Sequence, residues 1–317
     1  MSRKMKAAIA AFLLAGGAVA WIKGRKVEAK EDAAFALGVR DTPFASTRGH
    51  LDNGDLIPPH TKFDYTYQGT WPKGNDILIV IHGLNNTEIK AKNRFALAEE
   101  SLRNTGYRGE IVGFSWDGST NWDPFGATGY RVAKHNAMAN GPKLAGFICE
   151  LQAKNPNAKI RVLGYSMGAR LAVEAIYSLN AEEKHGVRLA SVHLVGAAID
   201  NEHLQTDDRY GKPIERRVVK FFNYFSPLDS KLGKMYQALE ADFAVGRVDL
   251  EEKDKAPKNY ISRDVSQELM SVDKSGRPLA QEPRGRNHSA YLGIRDDSGE
   301  WRDDGAMNVI AQDIVAN

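Results

Sequence analysis

One cysteine, Cys149, stands in a chain of 317 residues. An intramolecular disulfide and a cysteine-built metal cluster are therefore excluded. The context FICEL reads as a small buried hydrophobe on a helix. A net excess of either charge is also small. The net charge is +3, but Arg3, Lys4, Lys6, Lys23, Arg25 and Lys26 supply six positives within the first 26 residues, where there is no acid. The remainder carries about −3, and no basic stripe with interleaved aromatics marks a nucleic-acid binder. No GxxxxGK[ST] or GxGxxG loop follows a strand-like run, which removes the usual nucleotide-binding signatures. There is no internal repeat and no low-complexity tract. A composition of 42% hydrophobic and 26% charged residues fits an ordinary globular chain with a substantial core.

Long apolar runs are missing too. The uncharged segment Ala7 to Ile22 has 16 residues, short of the ~20 that span a bilayer. Flanking lysines and arginines can snorkel, and Trp21 suits an interface. The reading adopted is an uncleaved membrane anchor, giving membrane association through residues 7–22. The alternative is a signal peptide cut after Ala18-Val19-Ala20, leaving a secreted protein. Basic residues on both flanks give no orientation. The chain divides into residues 1–26 (anchor or signal), 27–75 (an extension with an edge strand) and 76–317 (the main domain).

What is present is organised around Ile160 to Leu179, IRVLGYSMGARLAVEAIYSL. Ile160, Val162 and Leu163 are strand-like, and Leu171, Ala172, Ala175, Ile176 and Leu179 recur at helical spacing. Between them lies Gly164-Tyr165-Ser166-Met167-Gly168. A strand, a sharp turn with serine at its apex and a helix make a G-x-S-x-G nucleophile elbow. Small residues let strand and helix pass closely around a strained serine. The N-terminus of the helix turns its unpaired N–H groups toward negative charge beside Ser166.

Around the elbow, 76–81 (DILIVI), 110–115 (EIVGFS), 189–195 (LASVHLV) and 218–224 (VVKFFNY) read as buried strands. KFDYTYQ, residues 62–68, alternates as an edge strand does. Thr87 is the expected N-cap of a helix running to about Asn104. A helical region spans Tyr130 to Lys154 with a break at Gly141-Pro142. Further helices are expected over Ser230 to Ala241 and Met307 to Val315. Residues 201–216 read as a polar loop. In the charged stretch 242–284, prolines preclude any long element. Strands alternating with helices predict a mostly parallel sheet with helices on both faces. Its reactive residues belong beyond the carboxyl ends of the strands, where His82-Gly83, Ser166, Asp200 and Asp229 fall.

A serine hydroxyl needs a base to take its proton. Histidine does this near neutral pH and returns the proton to the leaving group, while a carboxylate holds its tautomer. The elbow, the strand layout and the chain order resemble the α/β-hydrolase superfamily of serine hydrolases, across about residues 76–317. The lines HGLNN, GYSMGAR and NHSAY look closest to lipase- and esterase-like members with a small cap or none. The resemblance implies a Ser-acid-His order, with Ser166 as nucleophile. Of the eight histidines only His203 and His288 follow the strand after the elbow helix, and only His288 follows Asp229; His288 carries over as base. Asp229, after the second strand beyond the elbow, carries over as the acid, with Asp200, after the first, as the variant place. The oxyanion hole falls to the backbone N–H groups of Met167 and Leu84, and His82 to bracing that loop. Trp116 and Trp122 either wall the pocket or simply pack.

The function expected is hydrolysis of carboxylic esters, with a small-molecule or lipid ester as substrate and no cofactor or metal implied. Amide hydrolysis and acyl transfer use the same parts. The competing expectation is a non-catalytic, membrane-tethered binding module on the same fold.

Overall fold

The computed structural model describes residues 42–119, 127–181, 186–270, 286–295 and 301–316. The expectations for residues 1–26, and for Trp122, lie outside the described residues. Among the described residues no helix is long and apolar enough to cross a membrane.

Eight strands make one sheet: β1 (Phe44–Ser46), β2 (Thr66–Gln68), β3 (Asp76–Ile81), β4 (Glu110–Ser115), β5 (Lys159–Tyr165), β6 (Leu189–Val195), β7 (Val218–Phe225) and β8 (Tyr260–Asp264). Their spatial order is β8-β7-β6-β5-β3-β4-β1-β2. All neighbours run parallel except β2, which closes the edge antiparallel to β1. The chain steps from β3 outward to β4, then returns to place β5 on the other side of β3. That reversal opens a crevice beyond the carboxyl ends of β3 and β5, the place such sheets reserve for chemistry.

The aliphatic runs of the central strands are buried on both faces, as parallel strands under helices must be. Alternate residues divide between two cores. Ile77, Ile79, Ile81, Val162 and Val192 meet α2 (Ala127–Ala139), α3 (Gly141–Lys154) and α4 (Met167–Ala181). Leu78, Val80, Leu163 and Phe222 meet α1 (Glu88–Asn104) and the closing helix Met307–Val315. Each such side chain contributes roughly 1.5–3 kcal/mol by leaving water.

Local chemistry sets the element ends. The Thr87 hydroxyl accepts the Lys90 N–H and starts α1. Asn140 separates α2 from α3, and Pro142 sits in the first turn of α3, where its missing N–H costs nothing. The run from Ser230 begins with a π-wound segment, Leu232–Tyr236, continues as a short α-turn and stops at Ala241 in a left-handed conformation. Three elements depart from expectation. Residues 201–210 do form turns, but Gly211–Arg217 is a helix, held by the burial of Pro213 and Ile214. Strand β8 comes from the charged stretch and extends the sheet beyond β7; its sequence, YISRD, is polar because its side chains are half-buried or exposed. Strand β1 comes from a segment punctuated by Pro43 and Gly49 and is fully buried between β4 and β2.

The α1 face carries a buried polar chain. Arg161 of β5 pairs with both oxygens of Asp76 at 2.9 and 3.1 Å and donates to Ser191 Oγ at 3.0 Å. Ser191 Oγ lies 2.8 Å from His193 Nε2, and His193 Nδ1 lies 3.0 Å from the Tyr224 hydroxyl. Tyr224 then donates to Asp313 of the closing helix, which also receives Arg263 of β8. Burial, with Arg161 nearby, pushes the His193 imidazole down to about 3 and keeps it neutral.

Candidate active site

Ser166 follows the last residue of β5 and precedes the first residue of α4. Its backbone is left-handed, φ 57°, a conformation that costs a non-glycine residue about 1–3 kcal/mol. The turn is held by three backbone bonds: Ser166 N–H to Val195 O at 3.0 Å, and Ser166 O accepting from Ala169 N and Ala198 N. The flanking glycines are required by contact. A Cβ on Gly168 would collide with His82 O and stand 2.8 Å from Ile81 O; one on Gly164 would lie 2.8 Å from Ala169 Cα.

Ser166 Oγ lies 2.8 Å from His288 Nε2, and His288 Nδ1 lies 2.6 Å from Asp229 Oδ2. All three residues are buried, Asp229 completely. Asp229 Oδ1 accepts the Leu232 N–H at 3.0 Å, so the π-wound segment helps hold the carboxylate. The Tyr165 hydroxyl donates to His288 O at 2.7 Å and fixes the short helical turn that carries the imidazole. Tyr291 stacks edge-on to the His288 ring. Its hydroxyl stays protonated, because burial and then the neighbouring Asp229 carboxylate push it well above its ordinary range.

Asp200 sits elsewhere in the hydrogen-bond map. It accepts the Tyr236 hydroxyl, lies 3.1 Å from His203 Nδ1 and 3.8 Å from Arg170. Arg170, buried in α4, also donates to Ala198 O and to the Tyr236 hydroxyl. His203 thus lies beside Asp200 without a hydrogen bond from Nδ1, whereas His288 is hydrogen-bonded to Asp229.

The loop after β3 leans on the serine: a Cβ on Gly83 would fall 3.0 Å from Ser166 Cβ. Leu84 follows, half-buried, and Met167 opens α4. His82 is fully buried beneath the loop, stacked on Trp116 at 5.5 Å. Trp116 is therefore a core residue, and its indole N–H donates to His82 O. Burial, then the Arg48 cation, pushes the His82 imidazole down to about 3, so it is neutral. Tyr165 and Tyr291 lie within motifs already quoted for the resemblance. Nothing in the sequence singles out Arg48.

One other cluster brings three metal-type donors within 4.8 Å of one another: His50, His60 and Asp64. The Lys143 ammonium already fills it, 2.5 Å from Asp64 Oδ1. The two imidazoles stack at 3.6 Å and 11°, so their lone pairs lie in parallel planes and do not converge on one ion. Burial favours the neutral carboxyl at Asp64, but hydrogen bonds from Lys143 and His60 outweigh it and hold the pKa at about 2.

A family model described as an alpha/beta hydrolase of unknown function (DUF900) matches residues 70–283. The chain belongs to this family of α/β hydrolases. In this hydrolase the matched span holds Ser166 and Asp229, while Arg48 lies before it and His288 after it. No curated protein matches the sequence. Among solved structures, the hydrolase is similar to a thermophilic and thermostable carboxylesterase from a metagenomic library, at 12% identity and a TM-score of 0.43, covering 94% of this chain and 97% of that one. It is also similar to an acetyl xylan esterase, at 8% identity and 0.38, covering 77% and 97%. A cutinase-like protein from Cryptococcus sp. scores 0.35 at 14% identity, covering 77% and 94%. All three likenesses are distant.

Proposed function

We propose that the protein hydrolyses carboxylic esters through an acyl-enzyme on Ser166. The observation that carries this reading is the unbroken hydrogen-bonded line from Ser166 Oγ through His288 to buried Asp229, at 2.8 and 2.6 Å. Distances of this size let one imidazole take and return a proton without moving.

In this reading His288 Nε2 removes the Ser166 proton as Oγ attacks the ester carbonyl carbon. The carbonyl π electrons move onto oxygen, and the N–H groups of Met167 and Leu84 receive that charge. Asp229 holds the proton on His288 Nδ1 and stabilises the imidazolium. The tetrahedral intermediate collapses, the C–O bond to the alcohol breaks, and His288 Nε2–H protonates the leaving oxygen. Water then attacks the acyl-serine with its proton going to His288, and the acid leaves as Oγ recovers the proton. The strained Ser166 backbone keeps Oγ forward of the helix end, so that nucleophile and N–H donors face one carbonyl. The hydrophobic segment 7–22, read as an anchor, makes lipid esters the natural substrates to screen first.

The test is labelling of the purified protein with a fluorophosphonate, read by intact mass, beside hydrolysis of short-chain nitrophenyl esters. One adduct is expected on the wild type and none on Ser166→Ala, with turnover of Ser166→Ala below about a thousandth of wild type. A folded wild type that takes no adduct, or a Ser166→Ala protein that keeps a hundredth of the activity, would overturn the reading.

A further inference from the structure

An oxyanion site works when its N–H groups are fixed before the charge develops. The peptide joining Gly83 to Leu84 is planar and trans, so its C=O and N–H point in opposite directions. Gly83 O is held from behind by two donors, His82 Nδ1 at 2.8 Å and Asn86 Nδ2 at 3.0 Å. Pinning that carbonyl aims the Leu84 N–H the other way. Asn86 Nδ2 also holds Leu84 O at 2.9 Å, and Asn85 N–H is tied to Gly118 O at 2.7 Å.

His82 donates to Gly83 O only when the proton sits on Nδ1. Its Nε2 must then offer a lone pair. Two donors converge there: the Trp116 N–H at 3.1 Å and Arg48 Nη2 at 3.2 Å. A guanidinium stays charged and has no lone pair to give, so it accepts no other tautomer. The same Nη2 donates to Asn86 O at 3.0 Å, and Arg48 Nε donates to Ser115 Oγ at 2.7 Å. Asp117 stands 3.8 Å from Nη1 and sets the fork from the solvent side. The guanidinium thus grips the start and the end of the His82–Asn86 loop at once. It comes from the turn after β1, ahead of the span that defines the family.

We propose that Arg48 is a positioning residue for ester hydrolysis: through His82 and Asn86 it fixes the Gly83–Leu84 peptide that presents an N–H to the oxyanion. The inference rests on the reading of Ser166, His288 and Asp229 given above. It assigns residues 42–68 a part in the chemistry as well as in the sheet edge.

The experiment compares wild type, Arg48→Ala and Arg48→Lys in steady-state hydrolysis of a short nitrophenyl ester, with a thermal melt of each. Losing one oxyanion donor outright costs about 10²–10³ in kcat, so a donor left in place but misaimed should cost about tenfold or more. Arg48→Ala is expected to lose that much in kcat with KM within about twofold, and millimolar guanidinium is expected to restore several-fold. Arg48→Lys, which reaches one partner but not the whole fork, should fall between. A purely structural role would lower the melting temperature and leave kcat and guanidinium rescue flat. That result, with active wild type, overturns this inference alone; an inactive, unlabelled wild type takes the site reading down with it. Nitrogen NMR of the wild type at neutral pH checks the tautomer without any variant. His82 should show a protonated Nδ1 and a bare Nε2, and the opposite pattern would overturn the inference even if Arg48→Ala failed to fold.

Discussion

Two aspartates stand at strand ends beyond the elbow, and their neighbours separate them. Asp229 faces His288 Nδ1 at 2.6 Å, while Asp200 is engaged by Tyr236, His203 and Arg170. Asp229→Asn cannot accept the Nδ1 proton in the same way and should lower kcat by about 10³–10⁴. Asp200→Asn should leave kcat within about tenfold and lower the melting temperature instead, since it weakens a buried network around Arg170. Kinetics and melts of the two variants make the check, and the reverse ranking would reassign the acid. From sequence, both carboxylates were eligible, because both follow a strand. Strand position favoured Asp229, and the partners drawn from the 230–240 segment, Leu232 on Asp229 and Tyr236 on Asp200, set the two apart further. Arg48 illustrates the other limit. Its partners His82 and Ser115 lie 34 and 67 residues away in sequence, and no local pattern encodes such a meeting.

At the scale of elements, the elbow was the most legible feature because 20 contiguous residues contain the whole device. Strand, turn and helix constrain one another there, and the close contacts behind Gly168 are with the backbone of Ile81, the end of β3, and of His82 just after it. Gly168→Ala is expected to destabilise the protein by about 1–3 kcal/mol, the usual cost of overpacking a site that cannot yield. It should also weaken fluorophosphonate labelling, since relief requires His82 and the loop after it to shift. Denaturant melts with labelling on the same sample test both. A Gly168→Ala protein of wild-type stability would mean that α4 tilts freely, contrary to its burial. The central strands were equally legible from their aliphatic runs. The edges were not. β1 has three residues, and β8 reads YISRD, with little apolar signal because its side chains are only half-buried or exposed. Both are defined by backbone pairing to a neighbour already in place, which a local reading of sequence does not weigh. The helix Gly211–Arg217 was missed for a related reason: it is short and polar, held by two buried side chains.

For the whole molecule, two fully buried histidines set an acid limit. His82 and His193 both titrate near 3 in the folded protein, against ~6.5 for an exposed imidazole. Between those values the unfolded chain binds protons that the folded chain refuses, so stability is complete above about pH 6.5 and falls as pH drops toward 3. Each contributes about 1.4 kcal/mol per pH unit, or roughly 2 kcal/mol by pH 5. Unfolding free energy measured from pH 7 to pH 5 should therefore drop, with a slope from these two rings that steepens toward two protons near pH 5. His193→Gln, which removes one titrating ring, should reduce the slope toward one. A flat profile would show that neither imidazole is kept neutral by burial.

The polar chain from Asp76 to Arg263 has a further consequence, for how the sheet is assembled. Runs such as DILIVI and LASVHLV are nearly interchangeable along their length. Sliding one past its neighbour by two residues returns every apolar side chain to its own face. Hydrophobic burial alone barely distinguishes the right alignment from the shifted one. Arg161 does. Displaced by two positions, it would face aliphatic groups with its charge uncompensated inside the protein, a loss of several kcal/mol. Four neighbouring elements, β3, β5, β6 and β7, are keyed to each other in this way, and Asp313 keys the last helix to them. The chain thus acts as an alignment lock, and it lets the Ser166 elbow and the His82 loop arrive at the same height above the sheet.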